Sequence, residues 1–165
     1  MRSKVMLVAA LLAAAALVPA GAAAGKPQVF SLIDIEVSET PIDPGSTFDQ
    51  IPRAGARFAF TDALYAWAGV KRGARVGRVE GLCTFVKVDT AQFAATVYCT
   101  AEAYLPAGQI LLSGFIRFAE NSGPTFRIAI TGGLGRYRGA RGYVKITSIG
   151  GEESGKNNME FHLLP

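Results

Sequence analysis

The sequence predicts an all-β fold behind a secretory leader. Three observations carry that expectation. β-branched and aromatic residues dominate from Lys26 onward, turn residues interrupt them at short intervals, and no apolar run keeps a helical period over a useful length. Eight segments read as strands: 27–38, 56–62, 75–88, 92–105, 108–119, 124–131, 140–149 and 157–164. The 165 residues allow one domain. We place it at residues 25–165, after a signal peptide at 1–24.

The leader shows its parts in the usual order. Arg2 and Lys4 form a positive start, Met6 to Val18 an apolar run, and Ala22-Ala23-Ala24 the small residues ahead of cleavage. The apolar run is shorter than the roughly 20 residues that span a bilayer. Export and cleavage near Ala24 are therefore expected, with a secreted mature chain and no stable membrane anchor. The chain has 17 basic and 13 acidic residues, net +4, and two of the basic ones belong to the leader. The weakly basic remainder does not argue for nucleic acid.

Alternation supports the strands in turn. Phe58 and Phe60 flank Ala59; Ile110, Leu112, Ile116 and Phe118 share a side; Phe126, Ile128 and Ile130 share another. Residues 63–73, with Gly69 and Gly73, read as a loop or a single helical turn. Strands of even length joined by tight turns fit a sandwich or an up-and-down barrel, and closure would remove exposed edges. Composition alone does not separate the two.

The clearest hairpin turns around Asp89-Thr90-Ala91-Gln92. A turn centred near residue 91 sets Cys83 against Cys99, Phe85 against Val97 and Gly81 against Ala101. Directly opposed antiparallel positions lie within disulfide reach. A Cys83–Cys99 disulfide is expected, with two buried free thiols as the alternative. Gly77, Gly81 and Cys83 share one strand face, and their small side chains either leave room for a ligand there or serve only strand curvature. Gly132, Gly133 and Gly135 read as the turn between two strands.

Other chemistry finds little support. Gly132-Gly133-Leu134-Gly135 fails as a dinucleotide loop, because Arg138 stands where the third glycine would fall and no helix follows. One histidine, His162, and two cysteines do not build a usual metal site, so neither metal nor cofactor is expected.

A family pattern is present. Arg75-Val76-Gly77-Arg78-Val79-Glu80-Gly81-Leu82-Cys83, then Gly108-Gln109-Ile110, then the run from Ile128 through Gly132-Gly133-Leu134-Gly135-Arg136-Tyr137-Arg138-Gly139-Ala140-Arg141-Gly142 to Val144 closely resembles the allene oxide cyclase and dirigent protein superfamily. Phe58 to Tyr65 resembles the cyclase-type second strand, and Met159 to Leu163 the last strand. The resemblance implies an eight-stranded antiparallel up-and-down barrel, calycin-like, with an apolar central cavity and commonly three chains. Phe58, Phe60, Phe115, Phe118, Phe126 and Tyr143 cannot all face inward, which agrees with a homotrimer that buries an outer patch; a monomer whose outer aromatics are scattered or covered by the 39–55 loop is the alternative.

The same resemblance carries two activities. The cyclases close a fatty-acid epoxide with a glutamate on the first strand near a Ser-Pro pair. Thr40-Pro41 matches that pair, but Leu32 stands at the glutamate position and Asp34 at that of a water-holding asparagine, so true allene oxide cyclase activity is not implied. Glu36 shares the face of Leu32 and Asp34. Dirigent proteins guide radical coupling with cavity aspartates and an arginine. Ile33-Asp34-Ile35 matches the first aspartate motif and Ala140-Arg141-Gly142 the arginine, while Gly135 replaces the second aspartate. Asp34 and Arg141 are thus the candidate catalytic pair, with a structural ion pair as the alternative. Glu36, Pro41, Gly77, Gly81 and Cys83 are the candidate ligand contacts. The expected function is binding a small apolar molecule and steering its cyclisation or coupling. A non-catalytic ligand-binding or structural barrel stands beside it.

Overall fold

The computed structural model describes residues 26–43, 52–68, 71–119, 123, 125–150 and 154–165. The leader lies outside the described residues. Eight strands follow in order: β1 (Gln28–Pro41), β2 (Arg57–Ala68), β3 (Lys71–Asp89), β4 (Ala94–Leu105), β5 (Gly108–Phe118), β6 (Thr125–Gly135), β7 (Arg141–Ser148) and β8 (Lys156–Leu164). Each pairs antiparallel with the next, and β8 returns to β1 from Gln28–Leu163 through Ile35–Lys156. The barrel is closed, which pairs every strand on both sides, although the β5–β6 ladder runs only from Gly108–Gly135 to Ser113–Ala129.

Alternation decides what fills it. On β4, Val97, Cys99 and Ala103 are buried while Tyr98 and Thr100 between them are exposed. Part of the interior is solid: Leu64, Ala103, Ile110, Val144 and Phe161 are wholly buried, and Phe30 stacks on Phe161 at 4.8 Å between ring centres. Each large apolar side chain buried this way contributes on the order of 1.5–3 kcal/mol. The rest of the interior is the cavity described below.

The β3–β4 register matches the sequence expectation: Cys83 pairs with Cys99, Phe85 with Val97 and Gly81 with Ala101. Two segments differ. Residues 63–68 and 71–73 are strand rather than loop, with Tyr65 opposite Arg75 and Trp67 opposite Arg72 across irregular register steps. Gly73 marks a close approach: a Cβ there would lie 2.9 Å from the Ala66 carbonyl oxygen. Likewise Gly132 and Gly133 lie inside β6, and the turn follows at 136–139. A Cβ on Gly133 would meet the Tyr137 carbonyl oxygen at 2.4 Å. Only Gly135 of those three has positive φ, at 64°.

Candidate functional site: a buried carboxyl pair in an apolar cavity

A cavity of about 1040 Å³ occupies the barrel between the packed layer and the loops after β3 and β5, where Phe93, Ala119 and Gly123 line it. Its walls differ. Strands β3 to β7 supply mostly apolar side chains, among them Val79, Val97, Leu112, Ile116, Phe126 and Ile146, with Arg117, Thr125 and Ser148. The neighbouring strands β8, β1 and β2 supply Asn157, Asp34, Glu39 and Asp62.

Pairing explains why these polar groups meet. Asp34 sits opposite Leu64 on β2 and opposite Asn157 on β8. Asp62 opposes Glu36, so it is the diagonal neighbour of Asp34 on one sheet face, a spacing that long side chains bridge. A register shift between Glu36 and Ser38 then changes the parity of β1. Glu39, rather than Ser38, comes to oppose Phe60 and to line the cavity.

Asp34 is 4% exposed, and Asn157 Nδ2 donates to its Oδ2 at 3.0 Å. The Asp62 carboxyl is also within hydrogen-bonding reach of Asp34. Two carboxyls can bond only with a proton between them. Burial supplies the reason to keep one, because it disfavours the ionised form. Burial pushes Asp34 up to about 6, against the hydrogen bonds from Asn157 and Asp62, and Glu36 adds to the rise. Asp62 is pushed up to about 8, by burial first and then by the charges of Asp34, Glu36 and Glu39. Burial, then Glu36, also raises Glu39. Burial thus favours a protonated form of the pair, in a cavity whose lining is mostly apolar. Such a group can donate or accept a proton at working pH.

Of the residues expected at the site, Asp34 and Cys83 line the cavity. Cys83 is joined to Cys99, and both sulfurs face the interior. Arg141 is a correction. It is exposed and pairs with exposed Leu164, while Gly142 takes the inward position of β7, so no Asp34–Arg141 pair forms. Gly77 and Gly81 are corrections too, for neither lines the cavity. A Cβ at Gly81 would lie 2.4 Å from the Phe60 ring, and one at Gly77 2.1 Å from the Tyr104 carbonyl oxygen. The space at these glycines is filled by neighbours, and Gly81 seats the ring that faces the cavity. Glu36 is exposed beside Gly155, and neither it nor Pro41 lines the cavity. Of the six aromatics that cannot all face inward, Phe58, Phe60, Phe118 and Phe126 line the cavity, Phe115 is exposed and Tyr143 stacks on His162. Asp62 and Asn157 were missed by the sequence reading. The alternation Phe58, Phe60, Asp62, Leu64 was the available signal for Asp62.

The model of the allene oxide cyclase barrel-like domain matches residues 50–161. The chain belongs to that family. The matched segment includes Asp62 and Asn157 but begins after β1, so Asp34 and Glu39 lie outside it. No curated protein matches the chain in sequence. Similar solved structures include a pyocyanin demethylase, 23% identical over 82% of this chain and 99% of that one, with a TM-score of 0.61. The exo-specific intermolecular Diels-Alderase AbnU is 18% identical over 84% and 98%, TM-score 0.62. The pterocarpan synthase dirigent protein PsPTS1 is 18% identical over 85% and 94%, TM-score 0.62. At these identities the likeness of this allene oxide cyclase-like barrel to them is one of fold.

Proposed function

We propose that this allene oxide cyclase-like barrel is an exported protein that binds a small, largely apolar molecule in its cavity and steers that molecule's cyclisation or coupling at the Asp34–Asp62 pair. The observation that carries the reading is the meeting of buried Asp34 with half-buried Asp62 in one wall of a mostly apolar cavity. The walls restrict the conformations a bound molecule can adopt, which lowers the entropic part of a ring-closing or coupling barrier. The carboxyl pair hydrogen-bonds or protonates a polarised group on it, with Asn157 fixing the orientation of Asp34. Support comes from fold neighbours described as a Diels-Alderase and a pterocarpan synthase dirigent protein.

The second reading is a non-catalytic binding barrel, favoured by the placement of Arg141 outside the cavity. Assembly into a homotrimer belongs to the same proposal. Exposed Leu82, Tyr98 and Phe115 on the outer face of β3 to β5 supply an apolar patch, with Tyr98 and Phe115 in ring contact at 5.0 Å.

A thermal-shift screen of small lipophilic molecules tests the proposal, followed by chiral chromatography of each binding molecule after incubation with protein. A product or isomer ratio that changes with the wild type and not with Asp62→Asn supports steering. Binding with no conversion of any molecule supports the second reading.

A further inference from the structure

The ligand's chemical class follows from the charges around the cavity, given the reading of the cavity as a binding site. We propose that the molecule bound there carries a basic nitrogen, held as a cation against Asp34 and Asp62, with its apolar body on the opposite wall. Three carboxyl side chains, Asp34, Glu39 and Asp62, line the cavity, with Glu36 close to them on β1. The groups packed around the pair from β8 and β3 are uncharged, Asn157 and Val79. Arg117 is the single cationic residue lining the cavity among the described residues, and it is an exposed residue of β5, across the barrel from β1. The ion pairs described elsewhere, Arg57–Asp43, Arg78–Glu80 and His162–Glu160, involve none of the cavity carboxyls.

Asp34 adds an independent sign. It is 96% buried and lines the cavity, and its Oδ1 has no hydrogen-bond partner. A buried acceptor left unpaired is costly, so a ligand that brings an N–H to it gains what an apolar ligand cannot. A cation also offsets the charge of Glu39, whereas an anion would be repelled by every carboxyl on that wall. Phe60, beside Asp62 on the same face of β2, offers a ring next to that position. A base arriving uncharged takes the pair's proton; one arriving as an ammonium ion displaces it to solvent.

The test uses three probes of one shape: 1-naphthylmethylamine, 1-naphthalenemethanol and 1-naphthoate, titrated calorimetrically at neutral pH. The amine is expected to bind at least about tenfold tighter than the alcohol, and naphthoate weakest. Replacing both acids, Asp34→Asn with Asp62→Asn, should bring amine and alcohol to equal affinity. Ala101→Trp, which fills the cavity, should abolish binding of the amine. The proposal is overturned if alcohol or naphthoate binds as tightly as the amine, or if the preference survives in the double variant. In those cases the cavity remains a binding site of another class. If none of the three binds, the binding reading itself falls and this inference with it.

Discussion

Asn157 Nδ2 donates to Asp34 Oδ2 at 3.0 Å across the β1–β8 pair that closes the barrel. The bond favours the ionised form of Asp34 and restrains the rise that burial causes. Asn157→Leu should therefore raise the Asp34 ionisation further, above about 6. Carboxyl-carbon NMR titration of wild type and variant checks this. An unchanged Asp34 titration would mean that Asn157 does not set it.

Stability should fall as pH rises. An acid whose folded pKa is raised binds its proton more tightly folded than unfolded, so its contribution is present below the unfolded value and lost through the folded one. For Asp62 that window runs from 3.8 to about 8, and Asp34 acts in the same direction up to about 6. Urea midpoints should decline between about pH 4 and pH 8, and Asp62→Asn should flatten the decline. At the alkaline end the variant should gain about 1–3 kcal/mol over wild type. A wild type that grows more stable over this range would contradict the carboxyl assignment.

The Cys83–Cys99 bond joins two directly paired residues and closes a loop with a sequence separation of 16. Alkylation of the denatured, unreduced protein should add no label, and reduction should expose two thiols. Its loss should lower stability by about 3 kcal/mol on the chain-entropy view. Two labels without reduction would rule the bond out in solution.

Two glycines of the β6–β7 region should respond very differently to alanine. Gly142 has φ 136°, and a Cβ there would lie 1.9 Å from the His162 carbonyl oxygen, a backbone atom of β8. Gly139 has φ 74° with nothing within 4 Å. Gly139→Ala should cost about 1 kcal/mol from conformation alone. Gly142→Ala should cost several times as much or prevent folding, since strand pairing must yield. Equal losses in thermal melts would contradict this.

How far the sequence could be read followed from what sets register. The β3–β4 hairpin was legible because alternation is unbroken from Arg78–Tyr104 to Phe85–Val97, although a register shift between Phe85 and Lys87 separates these pairs from the turn. Gly73 misled because close backbone approach and a turn select the same residue. Arg141 misled for a different reason: a one-residue change of parity moves a side chain through the barrel wall, and β7 places Gly142 inward instead. The irregular step after Glu36 hid Glu39 in the same way. Asp62 stood at the predicted end of its strand, where an aspartate reads as a turn. Its role became visible once β2 was found to continue to Ala68 and to pair diagonally with Asp34.

The most direct measurement is a fluorescence titration with N-phenyl-1-naphthylamine, an apolar dye, on wild type and on Ala101→Trp. Ala101 lines the cavity opposite Gly81 on β3 and Leu112 on β5, so an indole there takes up chamber volume. Leu112→Trp serves as a second blocking variant, with far-UV circular dichroism to establish that each remains a barrel. Wild type should bind one dye per chain with saturation, and both folded variants should lose that binding. Undiminished binding by the folded variants, or none by wild type, would contradict the cavity as the functional site.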